Sequence, residues 1–109
     1  MSDKLFDLAN TEFSISFAGK EYLVRKANLE MAIAYQKKIQ ELVQKNEPGL
    51  ELHLAAHCLF LVLRKVDPLV TEDFVLQNLP ADLDALQVIT TLGFMSPLMK
   101  ELMEKKLRQ

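Results

Sequence analysis

From Leu59 to Leu63, within a longer stretch that runs from Leu50 to Val66, every residue is apolar and no polar face shows through. A helix apolar nearly all round is buried on several sides, in a protein core or in lipid. The unbroken run is far shorter than the roughly 20 residues of a bilayer span. The expectation is a central core helix over 50–66, with the other segments wrapped on it.

A different rhythm precedes it. Phe13, Ile15 and Phe17 alternate with Ser14 and Ser16, the two-residue period of a half-buried strand. Tyr22, Leu23 and Val24 follow after Ala18-Gly19-Lys20-Glu21. A two-residue turn at Gly19-Lys20 pairs Phe17 with Tyr22 and Ile15 with Val24, so 12–26 reads as a β-hairpin with one apolar face. Gly at the first central position suits a type II′ turn. An isolated hairpin is marginal in water, so this face is expected to lie on helices.

The remaining segments follow helical spacing. Asn28 suits an N-cap and Glu30 the first turn of a helix over 28–46. Its apolar positions include Leu29, Ala32, Tyr35, Ile39 and Leu42, and Asn46-Glu47-Pro48-Gly49 stops it. Thr71 caps a short helix over 71–79, and Pro80 opens another over 80–92 that Gly93 ends. Ser96-Pro97 starts a last helix, 96–108, as a capping Ser followed by Pro at the first helical position. Residues 1–11, with Leu5, Phe6 and Leu8 among charges, read as a tail or a short helical turn. The fold class is mainly α: an N-terminal β-hairpin, then a compact bundle of four to five helices around 50–66, in a single domain over 1–109.

Composition narrows the role. At 109 residues, half hydrophobic and about a quarter charged, the chain has the makeup of one folded domain. A net charge of −2 argues against a large nucleic-acid footprint. The single cysteine, Cys58, has no internal disulfide partner and sits in the apolar run, where a thiol behaves as a small hydrophobe. The N-terminal residues lack the basic-then-apolar order of a signal peptide. A soluble intracellular protein, in no membrane, is the expectation.

Chemistry-bearing constellations are few. His53 and His57 lie four apart on one helical face, near Glu51 and Cys58, and two ligands at that spacing can share a metal. A closed structural zinc site takes four ligands and a catalytic one usually three from the protein. No second His or Cys cluster completes the set, so the favoured reading is one partly exposed His and one core His with a hydrogen bond, and no metal or cofactor. Cys58 and His57 are sequence neighbours, about 100° apart around a helix, which makes a poor nucleophile–base pair. Gly19-Lys20 lacks the second glycine and the Ser or Thr of a phosphate loop. No enzyme is expected.

Two broader features remain. No Lys or Arg occurs from Val66 to Met99, while Asp67, Glu72, Asp73, Asp82 and Asp84 are negative. All but Asp67 fall near proposed helix starts, so they read as helix-start charges in preference to an acidic face for a basic partner. Near the chain end Met95, Met99 and Met103 recur every four residues beside Leu98 and Leu102. Such a stripe serves either as core or as an adaptable groove for a partner or for self-association.

The stretch Phe13-Ser14-Ile15-Ser16-Phe17-Ala18-Gly19-Lys20-Glu21-Tyr22-Leu23-Val24-Arg25-Lys26, with the helices after it, resembles the small tail assembly chaperones of long-tailed bacteriophages and prophages. These open with a short strand, a Gly-Lys-Glu-Tyr-like turn and a basic exit into a helical remainder. The resemblance covers most of the chain in organisation, with the hairpin as its one quotable motif. It implies a non-enzymatic role in the bacterial host cytoplasm, binding the tape-measure protein and tail-tube subunits during tail assembly, with no place in the mature virion. Met95, Leu98, Met99, Leu102 and Met103 are the residues expected to cover the partner's apolar helix face. The competing expectation is a general helical protein–protein adaptor or regulatory subunit.

Overall fold

A computed structural model describes residues 12–46 and 48–95, together with 98, 101, 102 and 105. A two-stranded antiparallel sheet, β1 (Glu12–Phe17) and β2 (Lys20–Arg25), leads into α1 (Leu29–Lys45), α2 (Leu50–Leu63), α3 (Glu72–Asn78) and α4 (Ala85–Thr91). The domain is mainly helical. Of the segment 96–108, Leu98, Glu101, Leu102 and Lys105 are helical. The expectations for residues 1–11, and for Met99 and Met103, lie outside the described residues.

The hairpin forms two residues out of the expected register. Ile15 faces Tyr22 and Phe13 faces Val24, with Phe17 opposite Lys20. The turn is Ala18-Gly19, with φ of 52° and 79°. Two successive positive φ values define a type I′ turn, whose twist matches that of the strands it joins. The II′ turn at Gly19-Lys20 is thereby corrected. In the observed register Arg25 Nε reaches Glu12 Oε2 at 3.4 Å, a pairing the other register would lose. Because side chains alternate with period two, a shift of two residues leaves every side chain on its face. Phe17, Tyr22 and Val24 are buried as the alternation requires.

α1 begins where the sequence marks it. The Asn28 side chain accepts a hydrogen bond from the Met31 N–H at 2.9 Å, satisfying one of the orphan donors of the first turn. It ends at Asn46, whose left-handed backbone (φ 54°) directs its N–H to the carbonyls of Leu42 and Val43. Only Met31, Tyr35 and Leu42 of this helix are buried, one stripe of an amphipathic surface.

α2 is apolar on most sides because it is covered on most sides. It packs on β2, α1, α3 and α4, and Leu54, Ala55, Ala56, Cys58, Leu59 and Leu61 are among its buried residues. Each fully buried aliphatic side chain contributes about 1.5–3 kcal/mol, so α2 supplies a large share of the core. It stops at Leu63, three residues before the expected end at 66. The N–H groups of Val66 and Asp67 both return to the Leu63 carbonyl, at 3.1 and 2.9 Å, closing the helix with a tight turn ahead of Pro68.

α3 is capped by Thr71 Oγ1, which accepts the Phe74 N–H at 3.1 Å. The helix expected over 80–92 starts later, at Ala85. Leu79, preceding Pro80, is held extended (φ −83°, ψ 130°), as the proline ring demands of the residue before it. Residues 80–83 form a turn, and Asp84 takes the capping position by accepting the Gln87 N–H at 3.2 Å. The far end closes at Gly93 (φ 92°). There the Phe94 N–H bonds to Ile89 and the Gly93 N–H to Thr90, at 3.1 and 3.0 Å, the paired bonds of a Schellman motif. The Leu92 carbonyl takes the Ala27 N–H at 2.9 Å, stitching the end of α4 to the exit of the hairpin.

Candidate protein-binding site

The histidine pair on α2 is drawn into the packing of the fold. His57 is largely buried, with Nδ1 3.3 Å from Glu72 Oε1 on α3, but the two are not aligned for a hydrogen bond. Burial pulls the His57 pKa below its ordinary value, while the Glu72 carboxylate pulls the other way. Lys38 on α1 sits 3.6 Å from the other oxygen of Glu72 and 3.5 Å from Glu41. Glu72 thus joins α1 and α3 through charge and sets its carboxylate against His57 of α2. His53 lies one turn earlier and lines a shallow depression of about 280 Å³ with Leu52, Leu76 and Pro80. Among the described residues, no three His, Cys, Asp or Glu side chains are placed to hold a metal ion.

Cys58 points into the core and is fully buried. Burial pushes its thiol pKa up, which keeps it protonated and poorly nucleophilic. The nearby Tyr35 hydroxyl is pushed up to about 12, first by burial and then by Cys58.

Four of the acidic residues of the Lys- and Arg-free middle have local tasks. Asp84 caps α4, and Glu72 and Asp73 sit in the first turn of α3. Asp67 accepts from Lys20 Nζ at 3.2 Å and from the Leu69 N–H at 3.2 Å, and the Lys20 bond holds its carboxyl below the usual range. Asp82 is exposed in the turn before α4. Helix capping and turn formation therefore account for most of this charge.

The terminal stripe divides between core and surface. Met95 is half-buried and packs on the core beside Phe94, whose ring centroid lies 5.4 Å from that of Tyr35. Leu98 and Leu102, one turn apart, are 67% and 52% exposed. Two leucines one turn apart on a helical segment thus leave apolar surface exposed.

One feature escaped the sequence reading. A groove of about 390 Å³ runs between β1 and α4, walled by Phe13, Ile15, Leu79, Leu83 and Val88. Its sides come from segments more than 60 residues apart, so no local spacing announces it. The available signal was that a two-stranded sheet has two open edges.

Among the described residues, no helix is long and apolar enough to cross a membrane. The chain matches no protein-family model, no curated protein and no solved structure.

Proposed function

We propose that this chain is a non-enzymatic protein-binding domain and, as the hairpin resemblance implies, a tail assembly chaperone of a long-tailed phage or prophage. It holds the helical tape-measure protein soluble in the host cytoplasm, engages tail-tube subunits, and leaves before the virion is complete. The carrying observation is the exposed pair Leu98 and Leu102, at 67% and 52%, rising from the seated Met95. Apolar residues one turn apart are the usual anchors where helices dock through hydrophobic faces. The finer architecture belongs to the same proposal: a bundle organised about Leu50–Leu63, with a fifth helix over 96–108. Its support is the contact of α2 with β2 and the three other helices and the helical state of Leu98, Glu101, Leu102 and Lys105.

The test is protection from aggregation. A tape-measure fragment that scatters light alone stays clear with one equivalent of this chain. The Leu98→Glu/Leu102→Glu variant loses that protection while its unfolding free energy changes by no more than about 0.5 kcal/mol per exposed substitution. A variant that folds and protects as well as the original excludes this surface. If the original chain gives no protection, the chaperone reading is excluded.

A further inference from the structure

The groove beside β1 is lined by five consecutive residues of that strand, Phe13 to Phe17. Residues from both faces of a strand line one groove only where the groove follows the strand's edge. β1 pairs with β2 on one side and, among the described residues, with no strand on the other. In a two-residue hairpin the pair closing the turn exchanges hydrogen bonds, and bonded and non-bonded pairs then alternate. Phe17 closes the turn with Lys20, so Phe17, Ile15 and Phe13 direct their peptide groups at β2. Ser14 and Ser16 direct theirs into the groove, and no turn, loop or cap bond among the described residues uses them.

Such an edge is usually blunted with charge or proline. β2 carries Lys20, Glu21 and Arg25, whereas β1 carries only Glu12, at its far end, and no proline. From Phe13 to Gly19 the chain is neutral. Two copies of a protein with net charge −2 therefore meet least repulsion along this strip.

The sequence of the edge also names its occupant. Phe13-Ser14-Ile15-Ser16-Phe17 reads the same in both directions. A two-fold axis through Ile15 sets Ser14 opposite Ser16 of the second copy, and both bring outward peptide groups to the bond. The same axis sets Phe13 opposite Phe17 of the second copy, both on the apolar face. Every pairing is like with like, which is the condition for a self-complementary two-fold interface. The half-buried Phe13 and Ile15 gain cover, and Leu83 of the turn before α4 and Val88 of α4 form the floor that receives the incoming apolar face.

We propose that β1 pairs antiparallel with β1 of a second copy, giving a four-stranded sheet in a two-fold dimer. This surface is separate from Leu98 and Leu102, so it stands or falls independently of the chaperone reading.

The experiment is size-exclusion chromatography with light scattering on the full chain across a concentration series. Two variants accompany it. Ser14→Pro removes an N–H that faces away from β2, leaving the hairpin ladder intact. Ser14→Lys/Ser16→Lys sets like charges opposite each other across the two-fold, while within the hairpin it places Lys beside Leu23 and Glu21. The expected result is a mass of twice 12.5 kDa for the original chain and for Leu98→Glu/Leu102→Glu. Both β1 variants, with unchanged circular dichroism, shift to a single chain mass. If Ser14→Pro fails to fold, the lysine variant alone decides. A monomer at every concentration overturns the proposal and leaves the groove to residues 1–11 or to another protein. A dimer that survives a folded β1 variant overturns it as well.

Discussion

Gly93→Ala is the sharpest probe of how α4 is tied to the hairpin. At φ 92° the backbone of Gly93 lies in the left-handed half of the map, where an L-residue costs about 1–2 kcal/mol. A Cβ there would stand 3.1 Å from Lys26 Cβ and 3.3 Å from the Ala27 nitrogen. The second neighbour is backbone, held by its 2.9 Å hydrogen bond to the Leu92 carbonyl. Relieving the contact stretches that bond, which is worth about 0.5–1.5 kcal/mol. The two terms sum to about 1.5–3.5 kcal/mol. At about 4–8 °C per kcal/mol for a domain of this size, the Tm falls by about 6–28 °C. Gly49→Ala is the control: its φ is 70°, yet among the described residues nothing lies within 4 Å of the new Cβ, so only the backbone term of about 1–2 kcal/mol applies. Urea unfolding followed by far-ultraviolet circular dichroism reads both, provided the slope with urea is unchanged. If Gly93→Ala costs no more than Gly49→Ala, the close approach of α4 to Lys26-Ala27 is refuted.

Further outcomes follow from other sites. Ala18→Asn relieves a non-glycine residue at φ 52° and installs the preferred Asn-Gly pair of a type I′ turn; a gain of about 1 kcal/mol is expected, and a loss would count against the observed register. Burial holds the His57 pKa below 6.5, so the unfolded chain takes the proton first. His57 then lowers stability as pH falls through that value and has no effect well above it. Unfolding curves from about pH 7 to pH 5 should show a smaller decline for His57→Gln than for the original chain; parallel declines would contradict the burial. The Cys58 thiol should resist a thiol-reactive dye at pH 8 in the folded protein and react fully in urea, whereas equal rates would show that it is accessible.

The elements that were legible in the sequence are those whose signals are local. Asn28 is an N-cap because its side chain reaches the Met31 N–H within its own turn. The alternation from Phe13 to Phe17 reports a strand because the pleat alone determines it. The faces of the hairpin were readable but its register was not: a two-residue slip preserves every face, and only turn geometry and the Glu12–Arg25 pairing distinguish the two. Pro80 looked like a helix start, yet Asp84 competed for the cap and won, leaving 80–83 as a turn. The acidic middle was legible as capping charge, since Asp84 acts on its own helix. The partnership of Glu72 with His57 and Lys38 was not, because it joins three helices. For the same reason Cys58 was legible as core, while the groove between β1 and α4 was hidden.

The proposed protein-binding role is tested most directly by co-expressing this chain with a tape-measure protein of a long-tailed phage, followed by size-exclusion chromatography with light scattering. The expected result is a soluble complex of defined stoichiometry, formed with a partner that precipitates alone and lost with Leu98→Glu/Leu102→Glu. A partner that is soluble by itself and elutes apart from this chain would contradict the chaperone reading.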